Sequence, residues 1–410
     1  MISRKSRAAA ATAVAALGFA LLAAPASAAT KSVVIWTDEK RGPVMTQLLG
    51  KKSPVTGYKF VIKTYASLEA LDAAWSNATA ATGPDLVISN SAYAYQGASD
   101  GKLMPLTLPA SVKAQFSKAA LNTLSYLGKV YGIPLDVDTT AMYYNKKLVK
   151  TPPKTFADMV TLYKANSSLT GGLCAMDGVW GSQPMLTALG GGAWGLKADG
   201  SPDANKVLLN AGALKSNMKK YLIGADGKSN GFFKWDGCKQ DFLDGKIPFA
   251  NSGGWQLEDV TKALGSNFGV MPVPGLKVGS TGSPWVGYQG IYVTTFAASH
   301  GVSAGALKFA TKYMTNAETQ KRLSTLGGRP PANLVAAKTI KSVALKGFAQ
   351  AGGNGLTQVD TFLNNNAGGA NWYDVLSDTY KKIFVDGAGV DATLDAAAAV
   401  VAKNFAAAAA

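Results

Sequence analysis

Ser32-Val33-Val34-Ile35-Trp36 is an unbroken apolar run that stops at the polar cluster Thr37-Asp38-Glu39-Lys40-Arg41. A run this short, rich in β-branched residues and closed by polar ones, predicts a buried β-strand, with Trp36 in the core. Residues 58–65 predict a second strand. A helix is expected from Ser67, a suitable N-cap, because Leu68, Leu71, Trp75 and Ala78 fall on one face. Gly83-Pro84-Asp85 then turns the chain into Leu86-Val87-Ile88, a third strand ending at Ser89-Asn90. Strands alternating with helices imply parallel pairing and an α/β fold. In such sheets ligands sit at the carboxyl ends of strands, which makes residues 37–41 and 89–93 candidate ligand-facing segments.

Farther along, Tyr131-Gly132-Ile133-Pro134-Leu135 leads into a stretch rich in Asp and Thr, and Ala141-Met142-Tyr143-Tyr144-Asn145 predicts another strand. Thr155, with Asp158 three residues on, predicts a helix start. Helical spacing returns at Ala306, Leu307, Phe309, Ala310, Tyr313 and Met314, and an Ala-rich helix is expected from Thr393 to the end.

The N-terminus reads as an export signal. Arg4, Lys5 and Arg7 precede an apolar stretch over residues 8–24, and Ala26-Ser27-Ala28 supplies a small-x-small cleavage pattern. Residues 1–28 are therefore expected to be a cleaved signal peptide. No cysteine lies near the junction, so a lipid-modified N-terminus is not expected, and the destination is a periplasm or the exterior. The remaining ~380 residues exceed the length at which single cores tend to split, which predicts two domains.

The chain carries 41 Lys and Arg against 25 Asp and Glu, a formal charge of +16. Its lysines are scattered, with short pairs such as Lys51-Lys52 and Lys381-Lys382, the pattern of solvated faces and not of a nucleic-acid stripe. Two cysteines, Cys174 and Cys238, either form a disulfide or stay free; export favours the bond. With His300 the only histidine, no metal site and no cofactor are expected.

Several blocks then resemble, in order and spacing, the maltose-binding-protein-like sugar receptors of ABC importers, the family 1 extracellular solute-binding proteins. They are Val33-Val34-Ile35-Trp36, Gly83-Pro84-Asp85-Leu86-Val87, and Gly128-Lys129-Val130-Tyr131-Gly132-Ile133-Pro134 continuing through Tyr144-Asn145-Lys146-Lys147-Leu148 to Pro152-Pro153-Lys154-Thr155. Phe242-Leu243-Asp244-Gly245-Lys246, Gly253-Gly254-Trp255 and Trp372-Tyr373 complete the set. The resemblance implies a two-lobed periplasmic-binding-protein fold of the α/β class, its discontinuous lobes joined by a hinge with the sugar between them. The lobes would comprise residues 29–136 plus 291–328 and residues 137–290 plus 329–410. Hinge crossings would fall at 135–138, 286–292 and 327–331. An ABC-importer permease would be the membrane partner, and a monomer is expected.

The resemblance also assigns ligand-binding candidates. Asp38, Glu39 and Arg41 occupy the loop that resembles the family's first ligand-contacting loop. Asp138 stands where the family has an acid after the hinge proline. Trp180, Trp255 and Trp372 resemble its stacking aromatics, and Arg329, between Gly328 and Pro330, reads as a clamp or as a solvated residue. A sugar suits such a set, since carboxylates, amides and Arg bond its hydroxyls while aromatic faces cover its C–H surfaces. Ser89, Asn90, Ser91 and Tyr93 stand where maltose receptors carry a Trp and further charges, which implies a mono- or oligosaccharide other than maltose.

Two catalytic motifs fail on inspection. Gly301-Val302-Ser303-Ala304-Gly305 has the spacing of a nucleophile elbow, but the only histidine precedes the serine; Ser303 reads instead as a helix N-cap. Gly227-Lys228-Ser229 lacks the first glycine of a P-loop, where Leu222 stands. The expectation is a binding protein and not an enzyme. The alternatives are the same fold holding a polyamine or another small solute, and a secreted glycosidase.

Overall fold

A computed structural model describes residues 30–197 and 202–409; the expected signal peptide lies outside the described residues. The fold is α/β. Ten strands form one sheet: β1 (Lys31–Thr37), β2 (Tyr58–Thr64), β3 (Leu86–Asn90), β4 (Gly132–Asn145), β5 (Leu173–Ala175), β6 (Phe233–Lys234), β7 (Phe249–Gly253), β8 (Phe268–Met271), β9 (Trp285–Val293) and β10 (Leu356–Thr357). Their order is β6-β5-β7-β4-β9-β3-β1-β2, with β8 paired to β4 and β10 to β9. β1 pairs in parallel with β2 and β3, as the alternation with helices predicts. β4 and β9 run antiparallel through the centre.

Local chemistry accounts for the elements. Ser67 Oγ accepts the Ala70 amide at 3.2 Å and caps α2 (Leu68–Ser76), whose Leu71 and Trp75 are buried. Thr155 and Asp158 form the expected capping box, each satisfying the other's backbone N–H. Two expectations need correction. Residues 132–145 do not break at the Asp/Thr stretch but continue as one 14-residue strand, because its backbone pairs with β9 through that stretch and the Asp138 and Thr139 side chains bond β9 residues instead of solvent. Ser303 is the first helical residue, not the cap.

The apolar residues gather in two sets. Val33, Ile35, Ile133, Leu135, Ile291 and Leu323 pack on one face of β1–β3, and Trp36, Trp75, Tyr93 and Tyr292 on the other. The alternation of Val33 and Ile35 with Val34 and Trp36 across the sheet is what divides them. The second set repeats this plan: Met142, Phe156, Trp194, Trp285 and Trp372 lie on one side, Ala141, Tyr143, Phe242 and Phe348 on the other. The chain passes between the sets within β4 and β9, close to the expected hinge positions. A third passage follows later in the chain. Ala332 packs in the first core and Asn333 bonds Gln115 and Thr315 there, whereas Ile340 and Leu345 belong to the second. It therefore falls after Asn333 and before Ile340, because residues 327–331 are tied back to β4 by the Val137 N–H to Pro330 bond.

Cys174 on β5 and Cys238 are joined in a disulfide, their Cα atoms 5.7 Å apart. His300 places Nδ1 2.7 Å from Asp85 Oδ1 and Nε2 2.7 Å from the Ala80 carbonyl. Both partners only accept, so the ring is held as an imidazolium and its pKa is raised, chiefly by the Asp85 bond. It is a structural tie.

The disulfide closes a loop of 64 residues. Replacing both cysteines with serine should lower the unfolding free energy by about 4 kcal/mol in the loop-entropy account, measurable by urea denaturation.

Candidate functional site

Between the two cores lies a cleft of about 810 Å³, within the ~300–1,000 Å³ typical of small-molecule sites. One wall comes from the loop after β1, α2 and the start of α3 (Ala92–Ser99); the other comes from the turn after β5, the residues after β7, and Tyr373 at the start of α4 (Trp372–Phe384). Both walls begin at carboxyl ends of strands.

On the first wall, Asp38 is 2% exposed and caps α1 (Arg41–Leu49): its Oδ1 accepts the amides of Lys40 at 2.9 Å and Arg41 at 3.0 Å, and its Oδ2 pairs with the Arg41 guanidinium. Burial opposes the charge on Arg41, yet Asp38, Asp138 and Asp136 together hold its pKa above the usual value. Glu39 projects to solvent at the cleft edge. Asn90 Oδ1 accepts the Ala92 amide at 3.0 Å, and Tyr93 donates its hydroxyl to Asp72 at 2.7 Å.

The floor is the β4–β9 ladder. The register slips between Gln289 and Gly290, so Leu135 has no partner and Pro134, which lacks an N–H, is accommodated at the irregularity. Asp136 and Asp138 alternate onto one face of β4. Gln289 donates to Asp138, and Arg329 Nε lies 3.4 Å from the same carboxylate. Gln289 Oε1 is buried without a hydrogen-bond partner, as are Arg329 Nε and Asp136 Oδ1.

On the second wall the Arg329 guanidinium sits 5.6 Å from the centre of the Trp255 ring, a cation–π contact. Trp255 Nε1 donates to Asp177 at 3.0 Å, and Ser252 donates to the other oxygen at 2.6 Å. Trp180 packs against Trp255 with centroids 5.4 Å apart and donates to Gln358. Burial raises the Asp177 pKa against the donors Ser252, Trp255 and Gln256. Gly254 brings the walls together at the rear: a Cβ there would lie 2.1 Å from the Gly328 carbonyl oxygen, so only glycine lets the two backbones meet.

Of the sequence candidates, Asp38, Glu39, Arg41, Asn90, Asp138, Trp180, Trp255 and Arg329 line this one cleft. Two do not. Trp372 is fully buried against Trp285 and Phe405, because the first turn of α4 turns it into the core; Tyr373 beside it lines the cleft. Ser89 is also fully buried, one residue short of the strand end where Asn90 emerges. The sequence reading missed Asp177, Asp72, Gln289 and Tyr373. Asp177 follows the end of β5, so the rule that picked out Asp38 was able to find it; Gln289 carries no local signal. Among the described residues, no group of three or more His, Cys, Asp and Glu is arranged to hold a metal.

A family model described as bacterial extracellular solute-binding protein matches residues 51–351. The chain is 26% identical over 285 residues to a galactooligosaccharide-binding protein of Bacillus subtilis (strain 168), covering 67% of each chain. It is 28% identical over 256 residues to a maltodextrin-binding protein of the same strain, covering 59% of this chain and 60% of that one. A maltooligosaccharide ABC transporter solute-binding lipoprotein of Streptococcus pneumoniae serotype 4 is 27% identical over 283 residues, covering 63% and 64%. The second and third matches span less than two thirds of those relatives.

Asp136 makes the floor sensitive to pH. Burial pushes its carboxyl up to about 6, with Arg329 and Arg41 opposing and Asp138 and Asp38 adding to the rise. A folded pKa above the unfolded ~3.9 stabilises the fold fully below that value, and the stabilisation is lost as pH rises through about 6. Relative to Asp136→Asn, the wild type should lose on the order of 3 kcal/mol between pH 4 and 7 in urea titrations. Trp372→Ala should cost about 3–5 kcal/mol of stability by the same measurement, as a core truncation does.

Proposed function

This chain belongs to the bacterial extracellular solute-binding proteins, and from that membership and its cleft we propose that it captures a mono- or oligosaccharide between two lobes and delivers it to an ABC importer. The observation that carries the sugar reading is the cleft's composition: Trp180, Trp255 and Tyr373 share its lining with the charged groups Asp38, Arg41, Asp138 and Arg329. Indole and phenol faces cover C–H surfaces while carboxylates and guanidinium groups bond hydroxyls, often in pairs. The names of the relatives, all binders of oligosaccharides or dextrins, support the same class.

In this reading the first lobe comprises residues 30–136 and 291–337, and the second residues 139–286 and 340–409, with the β4–β9 ladder as the flexible joint. Closure removes water from between the walls and strengthens each charged hydrogen bond. Asp138 and Arg329 bond hydroxyls at the floor, Asp38 and Arg41 hold the first wall, Asn90 and Glu39 bond its outer edge, and the two tryptophans stack on the ring faces. The site binds without chemical turnover. Residues 1–28 serve as a cleaved export signal without lipid attachment, and the receptor works as a monomer with permease subunits in the membrane. No described helix is long and apolar enough to cross a membrane.

Thermal-shift screening with mono-, di- and oligosaccharides should find one class that stabilises the protein, by about 2.7 kcal/mol at ~100 times its Kd. Trp255→Ala and Asp138→Asn should each weaken that sugar at least ~10-fold in calorimetry, about 1.4 kcal/mol or more. A stabilising polyamine with no stabilising sugar, or unchanged affinity in both variants, would sink the assignment.

A further inference from the structure

The charges lining the cleft do not balance. Asp38 is paired with Arg41 and Asp138 with Arg329, while Asp177 is held by neutral donors. That leaves Glu39, Glu69 and Asp72 on the first wall, and among the described residues no Lys or Arg forms an ion pair with any of them. Glu69 and Asp72 lie three residues apart on α2 and so share one face of that helix. Lys40, the remaining cation of the lining, also borders a recess behind the hinge, where Asp259 feels its charge. An acidic wall inside a chain of formal charge +16 runs against the sign of the molecule as a whole.

A second observation points the same way. Gln289 lines the cleft, is 2% exposed, and has its Oε1 without a partner. Its orientation is fixed by the other end of the amide: Nε2 donates to Asp138, which as a carboxylate only accepts. The unpaired atom is therefore an acceptor, and it calls for a donor from a ligand.

We propose that the sugar captured here carries a protonated amine, that is, an oligosaccharide containing 2-amino-2-deoxyhexose units, with the ammonium group seated against Glu69 and Asp72 and a ring donor meeting Gln289 Oε1. This rests on the carbohydrate reading and narrows it. Closing the lobes over a neutral sugar would withdraw unpaired like charges from water, a cost of several kcal/mol for each ion fully desolvated. An ammonium group offsets that cost. Burial raises the Asp72 pKa, against the Tyr93 hydroxyl that stabilises its charged form, and Glu69 and Asp38 add smaller rises.

The test compares three β-1,4-linked tetramers by calorimetry: glucosamine, its N-acetylated counterpart and glucose, with maltotetraose and spermidine as further arms. The proposal expects the glucosamine tetramer to bind at least ~10-fold tighter than any neutral tetramer at low salt. Glu69→Gln, an exposed position whose replacement leaves packing intact, should erase most of that advantage, and Asp72→Asn should do the same. Equal or tighter binding of a neutral tetramer would overturn the amine while leaving the carbohydrate reading standing. Binding of spermidine with no binding of any tetramer would overturn both, and no binding in any arm would overturn the amine.

Discussion

Everything at the centre of this protein hangs on the antiparallel ladder between β4 and β9. Val286 to Gln289 pair with Thr139 to Asp136, and Gly290 to Tyr292 with Pro134 to Gly132. Each strand begins in one hydrophobic core and ends in the other, so two packed bodies are joined through a few backbone hydrogen bonds. The register of that pairing slips at its midpoint, at Gln289. The same residues supply the cleft floor. A joint built from strands, not from a free linker, keeps the walls in register with one another.

The floor also concentrates charge. Asp38, Asp136 and Asp138 face Arg41 and Arg329 in surroundings that exclude most water. Burying ions is costly unless each has a partner, and here the partners come from different segments of chain. Arg329 meets Asp138 from beyond the helix Ala317–Gly327, and Arg41 meets Asp38 across one turn. The network thereby ties the third chain segment to the first two. Several polar atoms of the network, Gln289 Oε1 and Arg329 Nε among them, are buried without a hydrogen-bond partner.

The legibility of the site followed distance along the chain. Asp38 and Arg41 were readable because their geometry is local: a strand ends, a helix starts, and the acid caps it. Asp138 and Trp255 were readable through motif order. Trp372 was not, since a helix turns adjacent residues about 100° apart and no linear pattern told Trp372 from Tyr373. Packing against Trp285 and Phe405 settled it. Gln289 and Asp72 were invisible for a related reason: each gains its meaning from a residue 151 or 21 positions away.

The periodicity of apolar residues was enough to establish an α/β chain with strands ending in polar loops, because burial acts residue by residue on a pattern written in order. Charge and composition were enough to set aside a nucleic-acid stripe. Which polar residues converge, which tryptophan is core, and where the chain last passes between the two cores came from the folded molecule alone. Those outcomes depend on pairings between segments far apart in the chain, 111 positions for Asn251 with Thr140 and 151 for Gln289 with Asp138, and contact energy across such distances leaves no trace in local order.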